Sequence, residues 1–184
     1  MRILAVPFAV LLLAGCVSTD APTPTPSQSS SSATPTPSPT PTVDPEGIPV
    51  TVSCEDLVSA QVMYDFNPNF GLEGEFEPDA GTDAATAVGQ NGIACRWVNQ
   101  TSGEVIDISV ANLPDVALTT LRNDLADSST LVPTYGVEGY FRVADGVGEA
   151  QAIDDPFWIV AVSSAFTEPG EAEPIMAAAI AALS

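Results

Sequence analysis

Apolar and polar positions divide the chain into stretches of different character. Ile3 to Ala14 is an almost unbroken apolar run behind Met1-Arg2. From Val17 to about Ile48 that signal vanishes, and Thr, Ser, Pro and acids take over. From Pro49 onward short apolar patterns return, some with the period of a helix and some with that of a strand.

The last stretch reads as a folded domain over 49–184. Ser53 with Asp56 three residues later is a capping-box variant. Leu57, Val58, Gln61, Val62 and Tyr64 follow at near-helical spacing and predict a helix over 54–65. Asn67-Pro68-Asn69, Gly71, Gly74, Pro78 and Gly81 then break structure repeatedly, with a short helix predicted from Asp83 to Val88. Ile106, Ile108 and Val110 alternate with Asp107 and Ser109, the mark of a strand with one buried face. Ala94–Val98 precedes it across the turn 99–103, so the two form a hairpin, with Cys95 and Trp97 facing the first helix. Asn112 is expected to cap a second helix, with Pro114 in its first turn, Asp115 at the box position and Leu118, Leu121 and Leu125 as its buried stripe. Further strands are predicted at Tyr140–Val143, Glu149–Ile153 and Phe157–Ser163. The last is apolar on both faces, as a central strand is. Thr167–Glu173 reads as a turn or a capped start, and Pro174–Leu183 as an Ala-rich helix. The expected fold is α+β: one antiparallel sheet of four to five strands, with about three helices packed mainly on one face. A weak hairpin–helix repeat runs over 94–127 and 148–183.

The apolar run is too short to span a bilayer, which needs about 20 residues. It suits an export signal, which is cleaved after small residues. Leu13-Ala14-Gly15-Cys16 matches the lipobox, and this segment resembles the signal of bacterial lipoproteins. The resemblance implies a signal peptide over 1–15, cleavage between Gly15 and Cys16, and a diacylglycerol on Cys16. Two or more acyl chains give stable attachment where one gives marginal binding. Residues 16–48 are then the lipidated Cys and a disordered tether. Alternating Thr-Pro favours polyproline II at about 3.1 Å per residue, so roughly thirty residues reach on the order of 90 Å. The tether is an unmodified spacer or an O-glycosylation substrate.

Charge and cysteine usage fit that placement. There are 24 Asp and Glu against four Arg, with no Lys and no His. Such a surface repels phosphate backbones and anionic headgroups, which leaves nucleic acid a poor partner and makes the anchor on Cys16 the means of membrane contact. With Cys16 lipidated, Cys54 and Cys95 read as a disulfide in an oxidising compartment. Closing a loop of about 42 residues is worth roughly 4 kcal/mol in the chain-entropy model. The alternative, a reactive thiol, lacks a His or Lys to lower its pKa.

The same composition removes most catalytic chemistry. Serine triads, Cys–His pairs and the usual zinc sites need His. Carboxylates remain. Asp154-Asp155 and the alternating Glu73, Glu75, Glu77 and Asp79 lie in turn-like segments, and a carboxylate-based wall or glycan hydrolase is the enzymatic alternative. Asp79–Asp83 and Asp145–Glu149 are partial calcium-loop patterns, so a calcium-stabilised surface domain is another. Arg96 and Arg142 are placed to share one sheet face, as an anion pocket or as local ion pairs. Trp97 and Trp158 read as core aromatics, or as a stacking platform for sugars. No catalytic residue, metal ligand or cofactor is assigned.

The order of features, from lipobox and tether to a Cys at a helix start, Cys95-Arg96-Trp97 opening a hairpin and an aromatic C-terminal strand, resembles the small surface lipoproteins of actinobacteria with an uncharacterised Cys…Cys-x-Trp α+β domain. The resemblance covers roughly 50–184 and implies the disulfide and the α+β fold, without an activity. The expectation is a lipid-anchored, extracytoplasmic, non-enzymatic binding module on the outer face of the cell membrane. Its partner would be an exported protein, the cell wall or a small ligand.

Overall fold

The computed structural model describes residues 46–184. Gly15, Cys16 and the tether up to residue 45 lie outside the described residues. Seven strands form one antiparallel sheet in the order β1-β2-β3-β7-β6-β5-β4. They are β1 (Phe70–Leu72), β2 (Ile93–Asn99), β3 (Val105–Asn112), β4 (Thr130–Leu131), β5 (Glu138–Ala144), β6 (Val147–Asp154) and β7 (Phe157–Ser163). The helices are α1 (Cys54–Leu57), α2 (Ala60–Phe66), α3 (Asp83–Gly89), α4 (Asp115–Ser128) and α5 (Pro169–Ala181).

The α+β class and the single antiparallel sheet are as expected; the counts are not, with seven strands in place of four to five and five helices in place of about three. The five longer strands are those the sequence predicts, one from alternation and one from apolarity on both faces. The two additions, β1 and β4, are short and lie at the sheet edges. Three-residue and two-residue strands are too brief to carry a periodic signal. Short edges of this kind also limit edge-to-edge association.

The first helix is two helices. Ser53 caps α1, its Oγ accepting from Asp56 N at 3.1 Å, and Ser59 restarts the chain as α2 by accepting from Val62 N at 3.3 Å. A serine hydroxyl that competes for backbone groups favours such a cap over a helix interior. Asn112 does not cap α4. It ends β3, paired with Phe157, and its carbonyl accepts from Ile48 N at 3.0 Å. The residue flanking α4 is Pro114, which makes no side-chain cap bond. Helix α5 starts at Pro169, ahead of the expected Pro174, through a capping box between Glu168 and Glu171. Pro174 sits inside the helix and removes one intrahelical bond.

Helices cover both faces, which corrects the one-face expectation. Cys95, Ile108, Ala161, Ala150 and Phe141 are successive cross-strand partners and so share a face. With α1, α2 and α5 they build the larger core, in which Leu57, Met63, Phe166, Ile175 and Met176 are fully buried. The opposite face carries Ala111, Trp158, Val160 and Tyr140 under Ala87 of α3 and Leu118 and Leu125 of α4. The hairpin–helix order recurs as β2-β3-α4 and β6-β7-α5, but the two helices leave to opposite faces, so the repeat is one of order only.

Cys54 and Cys95 form a disulfide with Cα atoms 5.6 Å apart, tying α1 to β2. Reduction of the folded chain is expected to lower its stability by about 4 kcal/mol, because the bridge restricts the unfolded chain. Urea denaturation with and without reductant checks this. Coincident curves would contradict it.

Candidate functional site

The second face is not covered evenly. Helix α3 lies close to the sheet because its inward residues are Ala84 and Ala87. A Cβ on Gly92, next along the chain, would come within 2.6 Å of the Ala87 carbonyl oxygen. Helix α4 is held by Arg122, whose guanidinium reaches Glu138 of β5 at 2.8 Å and Asp155 of the β6–β7 turn at 2.7 Å. Between the two helices a groove of about 340 Å³ stays open. Trp158 of β7 forms its floor, and Leu113, Val116, Ala117 and Leu121 line it on the α4 side. Thr86, Gln90, Thr120 and Asp124 supply its polar positions. Its volume falls within the usual range of small-molecule sites, roughly 300–1,000 Å³.

Gln90, at the groove's edge, also holds Gly47. The Gln90 side chain accepts from Gly47 N at 3.0 Å, and Asn91 Nδ2 donates to the Gly47 carbonyl at 3.0 Å. A Cβ at Gly47 would sit 2.6 Å from the Asn112 carbonyl oxygen, so this close approach needs glycine.

A polar relay runs from the floor outward. Trp158 Nε1 donates to Gln151 Oε1 at 2.7 Å, both residues being buried. Gln151 Nε2 donates to Glu149, which Arg142 grips through Nε at 3.0 Å and Nη2 at 2.7 Å. Asp83, at the start of α3, lies against the same Glu149. In the same cross-strand row Arg96 grips Asp107 at 2.6 and 2.7 Å and stacks on Phe76, its guanidinium carbon 4.0 Å from the ring centroid. Arg96 and Arg142 therefore share one face, as the alternation implied, and both are neutralised by local carboxylates. Trp97 lies in the larger core on the opposite face, with its Nε1 lacking a hydrogen-bond partner.

The acidic segments are spread over the fold. Glu73, Glu75, Glu77 and Asp79 are exposed, and Asp155 is paired with Arg122. One residue from each partial calcium loop, Asp83 and Glu149, meets the other, yet Glu149 already takes Arg142 and Gln151. No group of three or more metal-ligating side chains occurs among the described residues. Sequence reasoning missed the groove because it arises where two helices from distant segments flank one Trp. The apolar β7 pattern signalled burial of that Trp, without a cleft.

Burial, and next the Glu149 charge, push the Asp83 carboxyl up from 3.8 to about 6, with Arg142 opposing. The native chain thus holds this proton where the unfolded chain has lost it. The resulting stability is full below the unfolded value and is lost as pH rises through about 6. Asp83→Asn keeps the contact without the charge. It is expected to stabilise the protein on the order of 1 kcal/mol at neutral pH, after discounting for solvent screening, with the gain vanishing below about pH 4. Denaturant titrations at both pH values check this, and an equal gain at both would contradict it.

No known protein family, curated protein or solved structure matches this chain.

Proposed function

We propose that this chain is a lipid-anchored extracytoplasmic protein whose domain acts as a non-enzymatic binding module, with the Trp158 groove as its site. The groove carries the reading: it is concave, mostly apolar, floored by an aromatic ring and edged by a few polar groups, the general make-up of a ligand site. Its frame is rigid, because the floor is sheet and one wall is pinned by Arg122 to two other elements.

The anchor rests on Leu13-Ala14-Gly15-Cys16 behind a short apolar run. The Cys54–Cys95 disulfide supports the same placement, since such bonds persist in oxidising compartments. Among the described residues no helix is long and apolar enough to cross a membrane. The tether after Cys16 would hold the module away from the lipid surface, at a reach set by polyproline II geometry.

Cys16→Ser removes the thiol that takes the lipid. In the native host the unaltered protein is expected in the membrane fraction and to label with fatty acid, and the variant to lose both properties. A variant that stays in the membrane with unchanged labelling would overturn the anchor.

A further inference from the structure

We infer that the groove selects a small organic cation, an apolar or aromatic body carrying an ammonium group; this rests on the groove being the binding site. Three observations converge on a positive charge. Asp124 is the one ionisable side chain lining the groove, and its carboxylate takes no hydrogen bond or ion pair among the described residues. The hydroxyls turn acceptors outward. Thr86 Oγ1 donates to the Thr82 carbonyl at 3.1 Å and Thr120 Oγ1 to the Val116 carbonyl at 3.1 Å, so both hydroxyl protons are already used. The Trp158 N–H is committed to Gln151, which leaves its ring as the feature it can offer, and indole is the strongest cation–π surface among side chains. Gln90 alone retains donors, because its Oε1 is taken by Gly47.

Among the described residues no free positive charge offsets this preference. Arg96, Arg122 and Arg142 are each held by carboxylates, and the chain carries a formal charge of −20 at pH 7. A field of that sign concentrates cations and repels anions. The groove's volume of about 340 Å³ suits a body of one ring with a short substituent.

The test is calorimetric titration of the full chain in zwitterionic nanodiscs with three probes of similar size: benzyltrimethylammonium, benzyl alcohol and benzoate. The cation is expected to bind at least about tenfold more tightly than benzoate, with the alcohol between them. Asp124→Asn should bring that preference down to about twofold, since it removes the charge and keeps the shape. Val116→Lys places a positive charge at the rim. It should abolish cation binding without unfolding the domain, because Val116 is 71% exposed. Binding of all three probes with no preference, or a preference for benzoate, overturns the cation and leaves the groove as a site. Binding of none of them up to about 10 mM, the weak end expected for ligands this small, overturns the groove as the binding site as well.

Discussion

Helices on both faces leave the central strands little solvated surface on which an uncompensated polar group can rest, and the Trp97 Nε1 is the exception among the described residues. Most of the other features follow from this constraint. Strands β3 and β7 occupy the middle, and Ile106, Ile108, Val110 and Ala111 pack beside Trp158, Ile159, Val160 and Ala161 with almost no exposure. Polar side chains in the rows around them must carry their own partners. Asp107 has Arg96, Glu149 has Arg142, Gln151 has Trp158, and the Ser163 hydroxyl donates to the Val105 carbonyl at 2.7 Å. The arginines are therefore part of how the second face is closed, which is why they are not left to hold an anion.

Closure by two unequal helices leaves the groove. Helix α3 has seven residues and approaches on alanines, whereas α4 has fourteen and approaches on leucines. Alanine lets a backbone come close; leucine holds it off. The space between the two helices, lined by Trp158, remains. The Asp83–Glu149 contact marks the other end of α3. There a carboxyl is drawn toward a carboxylate because the helix start is fixed by Thr82, whose hydroxyl accepts from Ala85 N at 3.1 Å. Placing a like pair beside one arginine costs stability once both ionise.

Legibility in the sequence followed the length of each signal. Ile106-Asp107-Ile108-Ser109-Val110 could be read because five alternating positions carry a period, and Phe157–Ser163 because its two-faced apolarity matches burial under helices on both sides. The disulfide was legible from cysteine usage. Phe70–Leu72 and Thr130–Leu131 were not, since too few residues carry each pattern. The second helical layer was hidden for a different reason. Ala84 and Ala87 bury little apolar area, so α3 shows no strong stripe even though it packs on the sheet centre. Asn112 looked like a cap by residue type, but tertiary pairing with Phe157 and Ile48 took its backbone into the sheet. The approach of Asp83 to Glu149, and the placing of Thr86 and Asp124 along one groove, depend on topology that local spacing does not contain.

The two tryptophans provide the most direct measurement of whether the groove is the working site. Their indole N–H groups lie on opposite faces, Trp158 bonded to Gln151 and Trp97 unpartnered in the larger core. In a ¹⁵N-resolved titration of the full chain with benzyltrimethylammonium, the Trp158 indole signal is expected to move saturably while that of Trp97 stays in place. A Trp158 signal that does not move, or movement confined to Trp97, would contradict the account.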